Sequence, residues 1–180
     1  MLICSLTLCI AMVVSTLQDV KLQRKKLISQ LESYASIIAF NAHNSIIEDD
    51  ADTEDNRLNS FKAVDIIHNI HVYRVLPETD ELGFFASYNR EAIGPFPVQF
   101  DRVQQFLTPY ISNNYIELSK AIINDDKVLG YVYVRASQEE LSAYIQTRIL
   151  LDILIALVAL GSAFFISARL QQRFTTPIET

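Results

Sequence analysis

The sequence predicts an α/β (α+β) fold in which one small domain of helices and strands lies between two transmembrane helices. Two observations predict it. The apolar residues collect at the two ends of the chain, and the stretch between them keeps first a helical period and then a period of two. With 180 residues, the chain holds one domain or two at most. The predicted parts are a first span at 1–17, a domain at 18–148, a second span at 149–168 and a linker at 169–180.

The first apolar run, Met1–Leu17, carries no charge. As a helix it would be about 25 Å long, a little short of a bilayer core of about 30 Å. A cleaved signal peptide is the alternative, but the run lacks a positively charged start and an A-x-A cleavage site. We therefore expect an uncleaved membrane anchor. Cys4 and Cys9 lie five residues apart in this helix and point in different directions, so no disulfide joins them.

The second apolar run, Ile149–Ala168, is long enough to span a bilayer and contains one charge, Asp152. Asp152 lies within a turn of the end at which the chain reaches the membrane, which favours an interfacial residue. A buried switch residue is the alternative. Arg169 and Arg173 follow at once, as expected for a cytoplasmic flank.

The charges near the first span favour the opposite orientation in the membrane. Lys21, Arg24, Lys25 and Lys26 lie on the loop side, which would favour a cytoplasmic loop. A loop as long as 18–148 is translocated largely regardless of its charge. Because Arg169 and Arg173 follow the second span, we predict that the domain is extracytoplasmic and that the chain is a multi-pass membrane protein.

The region 18–47 has a helical pattern with a heptad seam, broken once by Arg24. We predict that this seam forms a parallel dimer with a second copy of the chain, with packing on the domain's own sheet as the alternative. Asn41 falls at the next seam position, where a buried polar residue fixes register. The predicted dimer residues are Val20, Leu27, Leu31, Tyr34 and Ile38.

An acidic segment, Glu48–Asp55, comes after this helix. We interpret it as a solvated loop. The alternative is a hard-cation site, but the alternating acidic residues, central Gly and final Glu of an EF-hand are absent. Asn56 then predicts the cap of a helix from Arg57 to Asn69.

Short segments rich in β-forming residues come next. The predicted strands are His71–Leu76, Gly83–Tyr88, Tyr115–Ile123 and Val128–Ala136. The predicted connections are a turn at Pro77–Glu81, an extended loop at Gly94–Pro97, a helix from Asp101 to Leu107 and a hairpin turn at Asn124–Lys127. Ser137 and Glu140 then form a capping box that starts a helix running without Gly or Pro into the second span.

The composition excludes several kinds of site. A net charge of −6 argues against nucleic-acid binding. His43, His68 and His71 show no metal-ligand spacing, although a zinc site including the last two is an alternative. We expect no catalytic residue, no metal and no cofactor in this region. Aromatic residues of the strands are interpreted mostly as sheet core, with a ligand or partner pocket as the alternative use. The candidate contact residues are Tyr73, Phe85, Tyr88, Tyr131 and Tyr133.

Several of these segments resemble one family. The segment Ala35–Asn41, followed by Ser45-Ile46-Ile47 and Asp49, is similar to the first helix of the periplasmic CHASE-type sensor domains, the eighth class of that series. The segments similar to that family's first and last hairpins are Val72-Tyr73 with Gly83–Tyr88, and Ile122 with Gly130–Val134. Pro177-Ile178-Glu179 resembles the start of a HAMP linker. The resemblance covers roughly residues 33–180.

The resemblance implies a PAS-like fold, in which helices flank a central antiparallel sheet. It also supports the extracytoplasmic placement, with the domain in the periplasm and the spans in a bacterial inner membrane. It also implies a homodimer and a cytoplasmic output, usually a GGDEF diguanylate cyclase that makes cyclic di-GMP, or else a histidine kinase. A small periplasmic repressor protein holds some members inactive. The chain departs from the pattern at Pro77–Leu82, which is extra, and at Asn124-Asp125-Asp126, which replaces a Gly turn. Changes in both loops would alter contacts with a partner or ligand. An envelope binding or assembly protein without output is a further alternative.

Overall fold

The structure is a computed structural model that describes residues 2–90, 100–112 and 114–174. The chain forms two compact units, one made of Met1–Gln23 with Leu141–Thr180 and the other of Arg24–Glu140. Mixed helix and sheet confirm the predicted α+β class. The loop predicted at Gly94–Pro97 and the HAMP-like residues Pro177–Glu179 lie outside the described residues.

Four α-helices, one 3-10 helix and five strands make up the described part of the chain. Their bounds, in chain order, are α1 Leu2–Glu48, α2 Ala51–Leu58, the 3-10 helix Asn59–Ala63, β1 Ile67–Val75, β2 Leu82–Asn89, α3 Phe100–Gln105, β3 Tyr110–Ile111, β4 Tyr115–Asn124, β5 Lys127–Ser137 and α4 Glu139–Phe174.

The strands form one antiparallel sheet in the order β2-β1-β5-β4-β3. The first and last long strands therefore lie side by side at the centre. The predicted hairpin between β4 and β5 is confirmed. Its two turn residues, Asp125 and Asp126, have φ values of 45° and 63°, as a type I′ turn requires.

The central strands approach very closely at Gly130. A Cβ at this position would lie 2.0 Å from the backbone oxygen of Tyr73. A glycine is therefore required where β5 passes β1.

Both faces of the sheet are covered, and successive residues of β5 point to opposite faces. On one face, Val132 and Val134 pack with buried residues of α1. On the other face, Tyr131 and Tyr133 pack with Val103 and Phe106, from the segment that begins with α3. The alternation in β5 thus separates an aliphatic core from an aromatic one.

The expected solvated acidic loop is wrong, because α2 begins within it. The Asp50 carboxylate accepts hydrogen bonds from the Thr53 amide, at 3.0 Å, and from the Thr53 hydroxyl, at 2.6 Å, and so caps the helix. Glu54 is completely buried. Its Oε2 accepts bonds from Ser45 Oγ at 2.9 Å and Arg57 Nη1 at 2.7 Å. Burial is the main cause that raises the pKa of Glu54.

The helix predicted at Arg57–Asn69 is also wrong at both ends. The region is instead the end of α2, the 3-10 helix and the first residues of β1. Leu58, Phe61, Val64 and Ile67 recur every three positions in this region, a spacing that suits a 3-10 helix as well as an α-helix. Pairing of Ile67 with Ala136 in the sheet then overrides helix formation. Helix α3 starts at Phe100, one residue before the predicted cap, and β3 was not predicted.

The predicted dimer seam lies mostly in the core, which was the alternative left open. Leu31 and Ile38 are buried against the sheet, and Leu27 and Tyr34 pack at the edge of the same cluster. Val20 is half-buried and belongs to the other compact unit. The opposite side of α1 is exposed and carries Ile37, Phe40 and Ile47. A partner helix that contacts α1 in this region would therefore meet that exposed side.

One helix of the described chain, α4, is long and apolar enough to cross a membrane. The candidate segment is Ser142–Ser167, with a mean hydropathy of 2.6, and none of its most apolar window is buried inside the protein. A core helix of a soluble domain would be buried instead. The segment includes almost all of the predicted second span. Residues 2–17 of the predicted first span lie in α1, and their crossing of a membrane stays a prediction.

Candidate ligand or partner site

The sheet separates the five predicted contact residues into two groups. Phe85 and Tyr88 lie in the aliphatic core, on the face covered by α1. Tyr73, Tyr131 and Tyr133 lie together in the aromatic core on the other face. All five side chains are buried. The three tyrosines of the aromatic core are therefore the part of the prediction that a single site can use.

Polar residues extend this tyrosine group along the same face. In β1, Asn69, His71 and Tyr73 alternate with apolar residues, and the sheet register places His71 opposite Tyr133. The rings of His71 and Tyr133 are 5.7 Å apart. We name the set Asn69, His71, Tyr73, Asn89 and Tyr133 the His71 cluster.

Hydrogen bonds fix the tautomer of the buried His71. Asn89 Oδ1 accepts bonds from Asn69 Nδ2 and from His71 Nε2, each at 2.8 Å. Because an amide oxygen can only accept, the proton of the neutral ring is on Nε2. The other ring nitrogen, Nδ1, lies 3.3 Å from the Tyr73 hydroxyl, which donates to it. The arrangement is a chain of neutral donors and acceptors.

The pKa values fit this neutral state. Burial lowers the pKa of His71 below its ordinary value, although the bond with Asn89 opposes the shift. Burial also raises the pKa of Tyr73 to about 12. The pKa of Tyr133 is raised as well, mainly by burial and then by its bond to Glu117. Near neutral pH the cluster is therefore uncharged.

One end of the cluster adjoins a charged group. The Tyr133 hydroxyl donates to Glu117 Oε1 at 2.7 Å, and Arg135 Nε lies 3.6 Å from the same oxygen. The Arg135 guanidinium also lies over the Tyr115 ring, 3.8 Å from its centre. The opposite charges of Glu117 and Arg135 therefore offset each other at the edge of the His71 cluster.

The acidic residues considered as a cation site have separate roles. Asp49 pairs with Arg74, Asp50 caps α2, and Asp55 Oδ1 accepts the Ser87 backbone N–H at 2.8 Å. Glu54 accepts hydrogen bonds from Ser45 and Arg57 inside the core. Over residues 2–90, 100–112 and 114–174, no group of three or more His, Cys, Asp or Glu side chains is placed to hold a metal ion. His68 and His71 do not form part of such a group.

The junction between β5 and α4 is held by Gln138, which sequence analysis missed. Its backbone N–H donates to the Asn114 oxygen at 2.8 Å. Its side-chain Nε2 donates to the Ser112 and Tyr115 oxygens at 2.7 and 3.1 Å. The Ser137 hydroxyl of the predicted capping box accepts the Glu139 N–H at 3.0 Å. Ser112, Asn114 and Tyr115 thus hold the point at which the chain leaves the sheet for α4.

Only part of this site had a signal in the sequence. The alternation of Asn69, His71 and Tyr73 predicts a shared strand face, but the first predicted strand began at His71 and so excluded Asn69. Asn89 comes from another strand, and only pairing with Asn69 in the sheet register brings it to the cluster.

No family model matches the chain, and no curated protein matches it.

Proposed function

We propose that the chain is the transmembrane signal-sensing region of a bacterial receptor, with the α+β domain in the periplasm and a regulated enzyme in the cytoplasm. The observation that carries this proposal is the path of the chain from β5 to α4. The central strand β5 ends at Ser137, and α4 begins at Glu139 and includes the apolar segment Ser142–Ser167. A change in the sheet therefore has a short covalent route to a helix suited to the membrane.

The first helix supports the same proposal. Helix α1 is unbroken from Leu2 to Glu48. Its later turns supply Leu31, Ala35, Ile38 and Ala42 to the aliphatic core. Its first turns carry the uncharged run predicted to be an anchor. Both ends of the domain thus continue into helices with apolar segments.

The PAS-like assignment and the dimer belong to this proposal. A five-stranded antiparallel sheet with helices on it is the architecture that the resemblance to periplasmic CHASE-type domains implies. In a homodimer, the exposed side of α1 with Ile37, Phe40 and Ile47 supplies apolar contact area. A shift between the paired helices would then bias the output between two states, which requires only about 1–3 kcal/mol.

The output that the resemblance favours is a GGDEF diguanylate cyclase, with a histidine kinase as the second candidate. A small periplasmic regulatory protein is the proposed partner, and the two departing loops, Pro77–Leu82 and Asn124–Asp126, are where its contacts would differ from those of the family. An envelope binding protein without output is the competing function, because it needs the same fold and membrane helix but no helix movement.

Cysteine labelling tests the placement of the domain. Cys4 and Cys9 are replaced by alanine, and a cysteine is introduced in place of the exposed turn residue Asp125 or, as a control, in place of Arg173. A membrane-impermeant maleimide should label the first variant in cells with a permeabilised outer membrane and an intact inner membrane. It should label the control only after the inner membrane is opened. Labelling of the control alone would refute a periplasmic domain.

Insertions in α4 test signalling against simple anchoring. Residues 1–180 are fused to a diguanylate cyclase catalytic domain, and one to four alanines are inserted between Ser167 and Ala168. Each added alanine rotates the chain beyond the insertion by about 100°. If the helices transmit a rotation or register, cyclic di-GMP should rise and fall with the helical period and return towards the parent level at four alanines. Equal output across the series would support the envelope binding protein instead.

A further inference from the structure

The unit formed by Met1–Gln23 and Leu141–Thr180 contains two helical segments that run antiparallel. One groove of about 310 Å³ is lined from both sides, by Met12 and Thr16 of α1 and by Asp152 and Ala156 of α4, among other residues. Polar contacts join Thr16 to Asp152 and Asp19 to Arg148. Numbering rises along α1 as it falls along α4, which is the pattern of antiparallel neighbours.

Four polar side chains cross this otherwise apolar contact. The Thr16 hydroxyl donates to Asp152 Oδ2 at 2.5 Å, between residues 136 positions apart in the chain. Arg148 Nη2 lies 3.4 Å from Asp19 Oδ2. Arg148 and Asp152 both belong to the apolar segment Ser142–Ser167. Charged residues in such segments are costly unless paired, and paired ones commonly serve function.

Thr16 and Arg148 each have a second partner within their own helix, in addition to the partner on the other helix. The Thr16 hydroxyl lies 3.0 Å from the Met12 backbone oxygen, one turn earlier in α1. Arg148 Nε lies 3.8 Å from Asp152 Oδ1, one turn later in α4. When the helices separate or slide, the Thr16 hydroxyl and the Arg148–Asp152 pair therefore remain satisfied. Asp19 alone loses its partner, and it is about one-third exposed. Because the other three side chains keep a partner, separation of the helices leaves few polar groups unpaired, which lowers its cost.

We propose that Thr16, Asp19, Arg148 and Asp152 form a polar lock that holds α1 and α4 in one register. Signalling opens the lock by breaking the Thr16–Asp152 and Asp19–Arg148 contacts, after which Thr16 and Arg148 keep the partners that they already have within their own helices. The inference rests on the proposed function, since it assigns a regulatory device to the membrane helices of the receptor. It also gives Asp152 the switch role that was the alternative to an interfacial residue.

Disulfide crosslinking between the helices tests the lock. In the full chain with Cys4 and Cys9 replaced by alanine, Met12→Cys is combined with Ala156→Cys, two positions that line the shared groove. Crosslinking is followed in membranes with a mild oxidant. Asp19→Asn removes the ion pair between the helices but keeps the pair within α4, so it should lower the crosslinking rate roughly fivefold.

Three further variants make the result specific. Thr16→Val should also lower the rate, and it adds no charge that would hinder membrane insertion. Asp19→Glu should restore much of the rate. Arg169→Gln is the matched control, because the Arg169 guanidinium lies over the Phe165 ring of its own helix, 5.2 Å from the centre, and its removal should leave the rate unchanged.

An unchanged rate in both Asp19→Asn and Thr16→Val would overturn the lock, as would an equal fall in Arg169→Gln. This readout needs no output domain. If crosslinking is insensitive while the alanine series in α4 still oscillates, the lock is wrong and the receptor function stands. If the alanine series is flat while Asp19→Asn lowers crosslinking, the lock is structural and the signalling proposal fails.

Discussion

Two adjacent isoleucines of α1 lie in contrasting environments, Ile38 in the core and Ile37 on the exposed side of the helix. Ile38 is 2% exposed and packs against the sheet, whereas Ile37 is 54% exposed. Replacing each by alanine removes the same three carbon atoms from neighbouring positions. We predict that Ile38→Ala strongly destabilises the domain and that Ile37→Ala does not.

The expected magnitude is set by burial. Loss of three buried carbons costs about 2.4 kcal/mol in transfer free energy, and the cavity left behind raises the total to about 3 kcal/mol. For a domain of this size that lowers Tm by about 12 °C. Ile37→Ala should change the free energy of unfolding by less than about 0.5 kcal/mol, because little apolar area is lost and alanine favours the helix.

Thermal unfolding of the whole chain in detergent micelles, followed by near-ultraviolet circular dichroism of the tyrosines, measures both changes. Each variant is melted at two protein concentrations about twentyfold apart, since the stability of a dimer depends on concentration and that of a monomer core does not. Equal losses for Ile37→Ala and Ile38→Ala would refute the core assignment. A loss at Ile38 that varies with concentration would return that residue to the dimer seam.

The remaining two predictions concern the sheet. Gly130→Ala should cost about 4 kcal/mol or more in the same melt, because the added Cβ would overlap the Tyr73 backbone oxygen. Gly161→Ala in α4 is its control, because apart from the neighbouring backbone of its own helix nothing lies within 4 Å of the added Cβ. A melting loss as large as that of Gly130→Ala would contradict the steric reasoning. The folded-state pKa of His71 is lowered from an ordinary value of 6.5. The stability that neutral His71 contributes is therefore complete above pH 6.5 and is lost as the pH falls towards the lowered pKa. The free energy of unfolding should change by at most about 1.4 kcal/mol per pH unit in this range. His71→Asn should remove that part of the slope in chemical denaturation across this range, and a variant with the parent's slope would show that the titrating group lies elsewhere.

Much of the fold could be predicted because its signals are local. Alternation along β5 predicted that Tyr131 and Tyr133 share a face opposite Val132 and Val134, and the two cores confirm it. The turn between β4 and β5 was predicted from residue types that tolerate positive φ. These features depend on neighbours within a few residues, so a single sequence contains them.

The predictions were wrong where contacts with residues distant in the sequence determine the local structure. The acidic segment has the composition of a solvent-exposed loop, because six of its eight residues are Asp or Glu. Glu54 is nevertheless buried, because α1 brings Ser45 to it and α2 itself supplies Arg57. No local sequence pattern predicts that these partners meet. Without them, burial of the Glu54 carboxylate would cost too much free energy.

The sequence by itself determined the apolar segment of α4 and the two-sided pattern of the last strands, because periodicity and hydropathy are properties of consecutive residues. Tertiary structure decided the use of each surface. A heptad stripe has the same spacing whether it packs on a sheet or on a second helix, and only the position of the sheet placed Leu31 and Ile38 in the core. Likewise Thr16 and Asp152, far apart in the chain, become partners only because two antiparallel helices bring them together.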